Sequence, residues 1–241
     1  MAKAATWEHV WWITNNPYEA EHMRRSRVEL PAARHLMIRP VGFALLNVPP
    51  RTGKQKRFVI VSKHKGDRSC LIPELKKKGL LKVADVAGKH YGGPKGLATY
   101  DAVIHVPYQV SIMGMYETLA AGGVYMLPSA KFVRRMPKMC TGSLIPRWVL
   151  EPNNIGLMEW YHTDFKEAFV YFDSWGHLAS ILTDPKTADL LKAKREMGRR
   201  IMARIREQSL ASWRLLMQNV TSHICRRRAM SSAEVVAASV S

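Results

Sequence analysis

The stretch 101–128, DAVIHVPYQVSIMGMYETLAAGGVYMLP, constrains the fold more than any other part of the chain. Ala102–Val106 is a short apolar run of strand type, and Pro107 ends it because proline supplies no ladder donor. Ser111 is placed to cap a helix beginning at Ile112, its hydroxyl taking one of the orphan N–H groups of the first turn. Gly122 and Gly123 stop that helix in a left-handed conformation, and Val124–Leu127 forms the next strand. A strand, helix and strand in this order aim a positive helix end at the carboxyl edge of a parallel sheet, where open α/β sheets bind anionic ligands. The acidic side chain in the middle of that helix is Glu117.

The chain before this unit has the same rhythm. Arg57–Ser62 is a buried-type strand, and a loop follows from 63 to 68. Ser69 is placed to cap a helix over Cys70–Lys78 that ends at Gly79, and Leu80–Ala84 is a second strand. His90–Gly96 reads as a turn-rich loop. Ala168–Phe172 is a further strand, Trp175–Leu182 a short helix, and Asp173 a cap for it. From residue 57 the order is the pattern of a doubly wound parallel α/β sheet.

Ahead of it, His9–Ile13 predicts a strand, Tyr18–Arg27 a polar helix, and 36–38 an extended segment. Two prolines, a glycine and basic residues in Asn47–Lys56 mark a linker, placed at 51–56. At the other end, apolar residues at helical spacing run from Leu190 to Val220. The residues from 229 to 241 are small and polar and read as a disordered tail.

Charge narrows the partners. The chain carries 37 Lys and Arg against 19 Asp and Glu, a net charge of +18, which calls for an anionic partner. Half of the excess lies between Lys186 and Arg228, where twelve residues are basic and three acidic. Cys70, Cys140 and Cys225 are far apart and odd in number, so they suggest neither a metal site nor a disulfide framework, and a reducing compartment is expected. The longest apolar run, Leu119–Leu127, is far short of the roughly 20 residues of a membrane span. The start lacks the charged-then-apolar order of a signal peptide, so a soluble, cytoplasmic protein is expected.

The spacing Glu117, Ala120, Gly122 and Pro128, written ETLAAGGVYMLP, resembles the nucleotide-sugar-binding lobe of GT-B-type glycosyltransferases. The resemblance covers about 57–220 and implies a Rossmann-like donor-binding lobe, drawn at 57–228 with the basic helix included. It implies that Glu117 accepts hydrogen bonds from the donor's ribose hydroxyls, and that the backbone at Ser111 and Ile112 faces its diphosphate. Lys63 and Arg68, in the loop after the strand FVIVS, match the basic pair that holds the donor phosphates. Gln109 stands eight positions before the glutamate, where many retaining members carry an acid, and is counted with the donor-binding residues. The implied activity is transfer of a sugar from a nucleoside diphosphate to an acceptor hydroxyl, without a metal or other cofactor. Residues 1–50 are then a remnant of, or connection to, an acceptor lobe, with a partner lobe or chain supplying the rest.

Other readings stand beside this one. A glutamate in a helix is ordinarily a solvated residue, and basic loops are common. The chain could be a non-catalytic nucleotide-sugar-binding or scaffold protein. Its basic terminal helix could serve nucleic acid or an anionic membrane, although packing one face on the sheet with the arginines in water is favoured.

Overall fold

A computed structural model describes residues 1–42, 57–62, 64–88, 90–141 and 144–240, with side chains for all of these except residue 2 and residues 226–240. The expected linker at 51–56, and Lys63, lie outside the described residues. The chain divides into two compact units, Pro40–Arg206 and Met1–Arg39 with Glu207–Ser241.

The smaller unit contains α1 (Ala2–Ala5), β1 (Trp12–Thr14), α2 (Pro17–Arg25) and β2 (His35–Met37). β1 and β2 pair in parallel, with Trp12 opposite His35 and Thr14 opposite Met37. The helix between them starts at a reciprocal cap. The Asn16 side chain accepts from the Glu19 amide at 3.1 Å, while Glu19 accepts from the Asn15 amide at 2.6 Å. Arg34 then ties the N-terminal segment to this unit by donating to the carbonyls of Trp7 and Val10.

The larger unit holds five parallel strands: β3 (Phe58–Val61), β4 (Ala84–Ala87), β5 (Ala102–Ile104), β6 (Tyr125–Pro128) and β7 (Val170–Phe172). Their spatial order is β4-β3-β5-β6-β7. Phe58, Val59, Ile60, Met126 and Leu127 have no exposed surface, as expected for strands covered on both faces. Between and after the strands come α3 (Ile72–Lys77), α4 (Gly93–Ala98), α5 (Met113–Ala120), α6 (Ala130–Arg135), α7 (Lys138–Thr141), α8 (Trp175–Thr183) and α9 (Thr187–Val240). The parallel α/β sheet and the long terminal helix therefore match the expectation from sequence.

Local starts and stops explain the elements, and several differ from expectation. α5 ends as foreseen: Gly122 has φ +85°, Gly123 N–H bonds the Thr118 carbonyl, and Gly122 N–H bonds that of Leu119. Its start differs, because Ile112 occupies the N-cap position and no side chain caps the helix, so Ser111 is not the cap. Ser69 does not cap α3 either; it lies inside a π-helical turn, Asp67–Leu71, that leads into the helix. Ser174, not Asp173, caps α8 by accepting from the His177 amide at 3.0 Å. The run after Gly79 makes a short 3-10 turn at Leu80–Lys82 before β4, which puts that strand some residues later than expected. The loop foreseen at His90–Gly96 contains the start of α4, whose Pro94 sits in the first turn where proline's missing donor costs nothing. The backbone of α9 continues to Val240, across the segment expected to be a disordered tail.

Candidate functional site

In a sheet of order β4-β3-β5-β6-β7, the strand order reverses between β3 and β5. Two connections leave the carboxyl edge at that point. One leads from β3 to the π-helical turn that starts at Asp67, and the other is 105–112 between β5 and α5. Aromatic and ionisable side chains converge where these connections meet.

Asp67 is buried, at 2% exposure, and its carboxylate accepts from the His64 amide at 3.2 Å. The His64 ring stacks on Tyr108 from the other connection. Burial raises the Tyr108 hydroxyl pKa above the ordinary tyrosine value, and the charge of Asp67 adds to the rise. His105, immediately after β5, presents its ring edgewise to Tyr108 and Tyr125 and lies 4.9 Å from the Trp160 ring. It is 8% exposed, and its Nε2 has no hydrogen-bond partner among the described residues. Burial, with a smaller contribution from His64, lowers its pKa to about 3. Trp160 holds the floor by donating from its indole to the Gln109 carbonyl at 2.9 Å. Tyr125 lies within 3.3 Å of both the Gly114 carbonyl and the Thr118 hydroxyl on α5. Burial raises its pKa first, and Tyr91, Tyr108 and Glu117 contribute in the same direction. One electrostatic neighbourhood therefore reaches from Asp67 through Tyr108 and Tyr125 to Glu117.

A disulfide braces this edge. Cys70, in the π-helical turn, is bonded to Cys140 on α7, with their Cα atoms 5.5 Å apart. Spacing in the sequence argued against any disulfide framework, because residues 70 apart become neighbours only when the sheet forms. At Gly66 a β-carbon would run into the Cys140 carbonyl, so the first loop has to pass α7 with no side chain at that point.

The residues expected from sequence fall on this edge with different degrees of engagement. Glu117 is half-buried in the middle of α5 and carries no side-chain hydrogen bond or ion pair among the described residues. Pro40–Gly42 runs close to it: a β-carbon on Gly42 would meet the Tyr116 carbonyl and Ala120. The first turn of α5 is open, with Met113 56% exposed and no atom near the position a Gly114 β-carbon would take. Ser111 and Ile112 lead directly into it, both half-buried. Arg68 is exposed on the π-helical turn, and the backbone carbonyl of Gln109 accepts from the Trp160 indole. Sequence reasoning did not bring Asp67, His105, Tyr108 or Trp160 into the site. Their apolar or loop settings make them look generic until β3 and β5 are placed side by side.

The basic helix is partly committed to structure. Arg195 is 8% exposed and donates to the carbonyls of Ala98 and Tyr100, each at 3.0 Å, and of Gly122. Lys194 donates to the Glu167 carbonyl at 2.9 Å. A cleft of about 360 Å³ beside Arg195 is lined by Asp101, Leu191, Lys192 and Arg199, at the edge of the sheet away from Glu117. A second groove, of about 600 Å³, has Arg134, Lys138 and Arg147 on its rim and Met136, Thr141 and Ile145 on its floor. Thr141 is next to the bridged Cys140, so this groove adjoins the braced edge. No protein-family model matches the chain, and no curated protein matches it.

Proposed function

We propose that Pro40–Arg206 is a GT-B-type donor-binding lobe of a glycosyltransferase, which binds a nucleoside-diphosphate sugar at the carboxyl edge beside β3 and β5. The observation that supports this best is Glu117. It is a half-buried carboxylate without a hydrogen-bonding partner among the described residues, on a helix whose first turn is open, next to the reversal of strand order. A carboxylate so placed accepts two ribose hydroxyls at once. The open first turn of α5 offers backbone donors and the positive end of the helix dipole to the diphosphate. Arg68, with Lys63 ahead of it in sequence, adds positive charge on the β3 side. Departure of the nucleoside diphosphate builds negative charge on its terminal phosphate. Fixed donors and cations at that point favour the transition state over the bound substrate. Tyr108 and His64 provide an apolar, aromatic wall against which a base or sugar ring can stack.

Calorimetric titration of UDP, GDP and ADP into the wild type and Glu117→Ala tests the reading. One nucleotide is expected to bind, with a loss of about 1–3 kcal/mol in the variant, the range for a charge-assisted hydrogen bond removed from a partly buried site. Failure of all three to bind, or equal binding to both proteins, overturns it.

A further inference from the structure

The smaller unit carries a feature that a donor lobe does not use. Fourteen large apolar residues are exposed among the described ones, and nine of them lie in Met1–Arg39 or Glu207–Ser241, the smaller part of the chain. Five of these nine lie on α9, and apart from Leu215 they form a stripe: Leu210 at 42% exposure, Trp213 at 45%, Met217 at 61% and Ile224 at 47%. Their spacings of three, four and seven residues put them on one face of a helix, a stripe about 21 Å long at 1.5 Å per residue. This is not the packing face. Leu216 at 5% and Ser209 at 4% mark that face, and the Ser209 hydroxyl donates to the Arg39 carbonyl at 2.9 Å. Between Glu207 and Glu234 the sequence has no acidic residue and four arginines, Arg214 and Arg226 to Arg228.

We infer that this stretch of α9 lies on an anionic lipid surface, with Leu210, Trp213, Met217 and Ile224 entering the headgroup–acyl boundary and the arginines meeting lipid phosphates. Charge selects this occupant. The three-four spacing would also suit a helix seam with a second copy, but the flanking charge is all positive. Two copies of a chain with net charge +18 would face each other without a glutamate to pair the arginines. Nucleic acid would use the arginines but leave four large apolar side chains in water. An anionic bilayer uses both, and tryptophan and arginine are the residues that settle at its interface. No helix among the described residues is long and apolar enough to cross a membrane, so the helix lies in the surface plane. This inference is independent of the proposed nucleotide site.

The test is co-sedimentation of the full chain with phosphatidylcholine vesicles, with and without phosphatidylserine. The wild type is expected to sediment with the anionic vesicles and far less with the neutral ones. The triple variant Trp213→Ser, Met217→Ser, Ile224→Ser is expected to lose about tenfold or more in affinity, since it removes most of the apolar surface available for insertion. These positions are exposed, so an unchanged thermal midpoint accompanies that loss. Arg214→Glu, which leaves the stripe intact, is expected to weaken anionic binding and make what remains less sensitive to salt. Equal sedimentation of wild type and triple variant overturns the inference, as does no sedimentation of the wild type. It is also overturned by a lipid-free dimer that the triple variant turns into a monomer, or by duplex DNA binding that the triple variant abolishes.

Discussion

His105 shows how strongly one position can tie the stability of this protein to pH. Its imidazole is enclosed by Tyr108, Tyr125 and Trp160, and its Nε2 has no partner among the described residues, so there is nothing there to stabilise a proton. The folded pKa is about 3, against an ordinary 6.5 when the chain unfolds. Below the unfolded value the unfolded chain binds a proton that the folded chain refuses, so protons favour unfolding. The stability linked to His105 is complete above about pH 6.5 and drains away as pH falls toward about 3, by on the order of 4 kcal/mol over the window. Urea unfolding at a series of pH values checks this. His105→Phe, which keeps a ring in the cavity, is expected to flatten the slope across that window while leaving neutral stability within about 1–2 kcal/mol of the wild type. A slope unchanged by the substitution would assign the acid sensitivity to other groups.

Between elements, the interaction with the largest consequence is that of Arg195 on α9. Its guanidinium gathers three carbonyls that α4, the turn after it and the end of α5 leave unsatisfied. Arg195→Met keeps the stem but removes all three bonds and leaves buried acceptors, at an expected cost of about 2–4 kcal/mol in urea unfolding. Arg195→Lys is expected to recover less than half, because one ammonium cannot match a planar fork of donors. Full stability of the methionine variant would show the carbonyls to be solvated instead. This contact was invisible in the sequence, where Arg195 was one of many arginines on a basic helix. The strands were legible, because FVIV, AVI and YMLP are apolar runs bounded by charge, proline or paired glycines. The C-terminus of α5 was legible for the same local reason, since Gly122 and Gly123 meet a backbone requirement that few residues can. Caps were misplaced by a residue or more at Ser69, Ser111 and Asp173, because a hydroxyl or carboxylate near a helix start fixes a preference and not a register. α4 was missed although Gly92, Gly93 and Pro94 mark its start, because the same residues spell a turn. Glu117 was singled out from spacing alone. The aromatic wall beside it depends on which strands become neighbours, and no local pattern carries that.

At the scale of the whole molecule, the bond between Cys70 and Cys140 closes a loop of 70 residues across the carboxyl edge of the sheet. Closing a loop of that length restricts the unfolded chain by about 4 kcal/mol in the chain-entropy account. The paired substitution Cys70→Ala, Cys140→Ala is expected to lower the unfolding free energy by up to that amount. It is also expected to raise amide exchange in α7 and in the turn before α3, readable by mass spectrometry. Unchanged stability and exchange would mean that packing alone holds α7 against the Gly66 loop. The strand order has its own consequence for how such a chain is made. β3 emerges from the ribosome first of the five, β4 pairs on one side of it, and β5, β6 and β7 each add to the opposite, growing side. No strand has to be wedged between two that are already paired, so the sheet can be laid down in the order of translation. Its open flank waits only for the next segment to be synthesised. The carbonyls that Arg195 later caps are left to water until the final helix arrives.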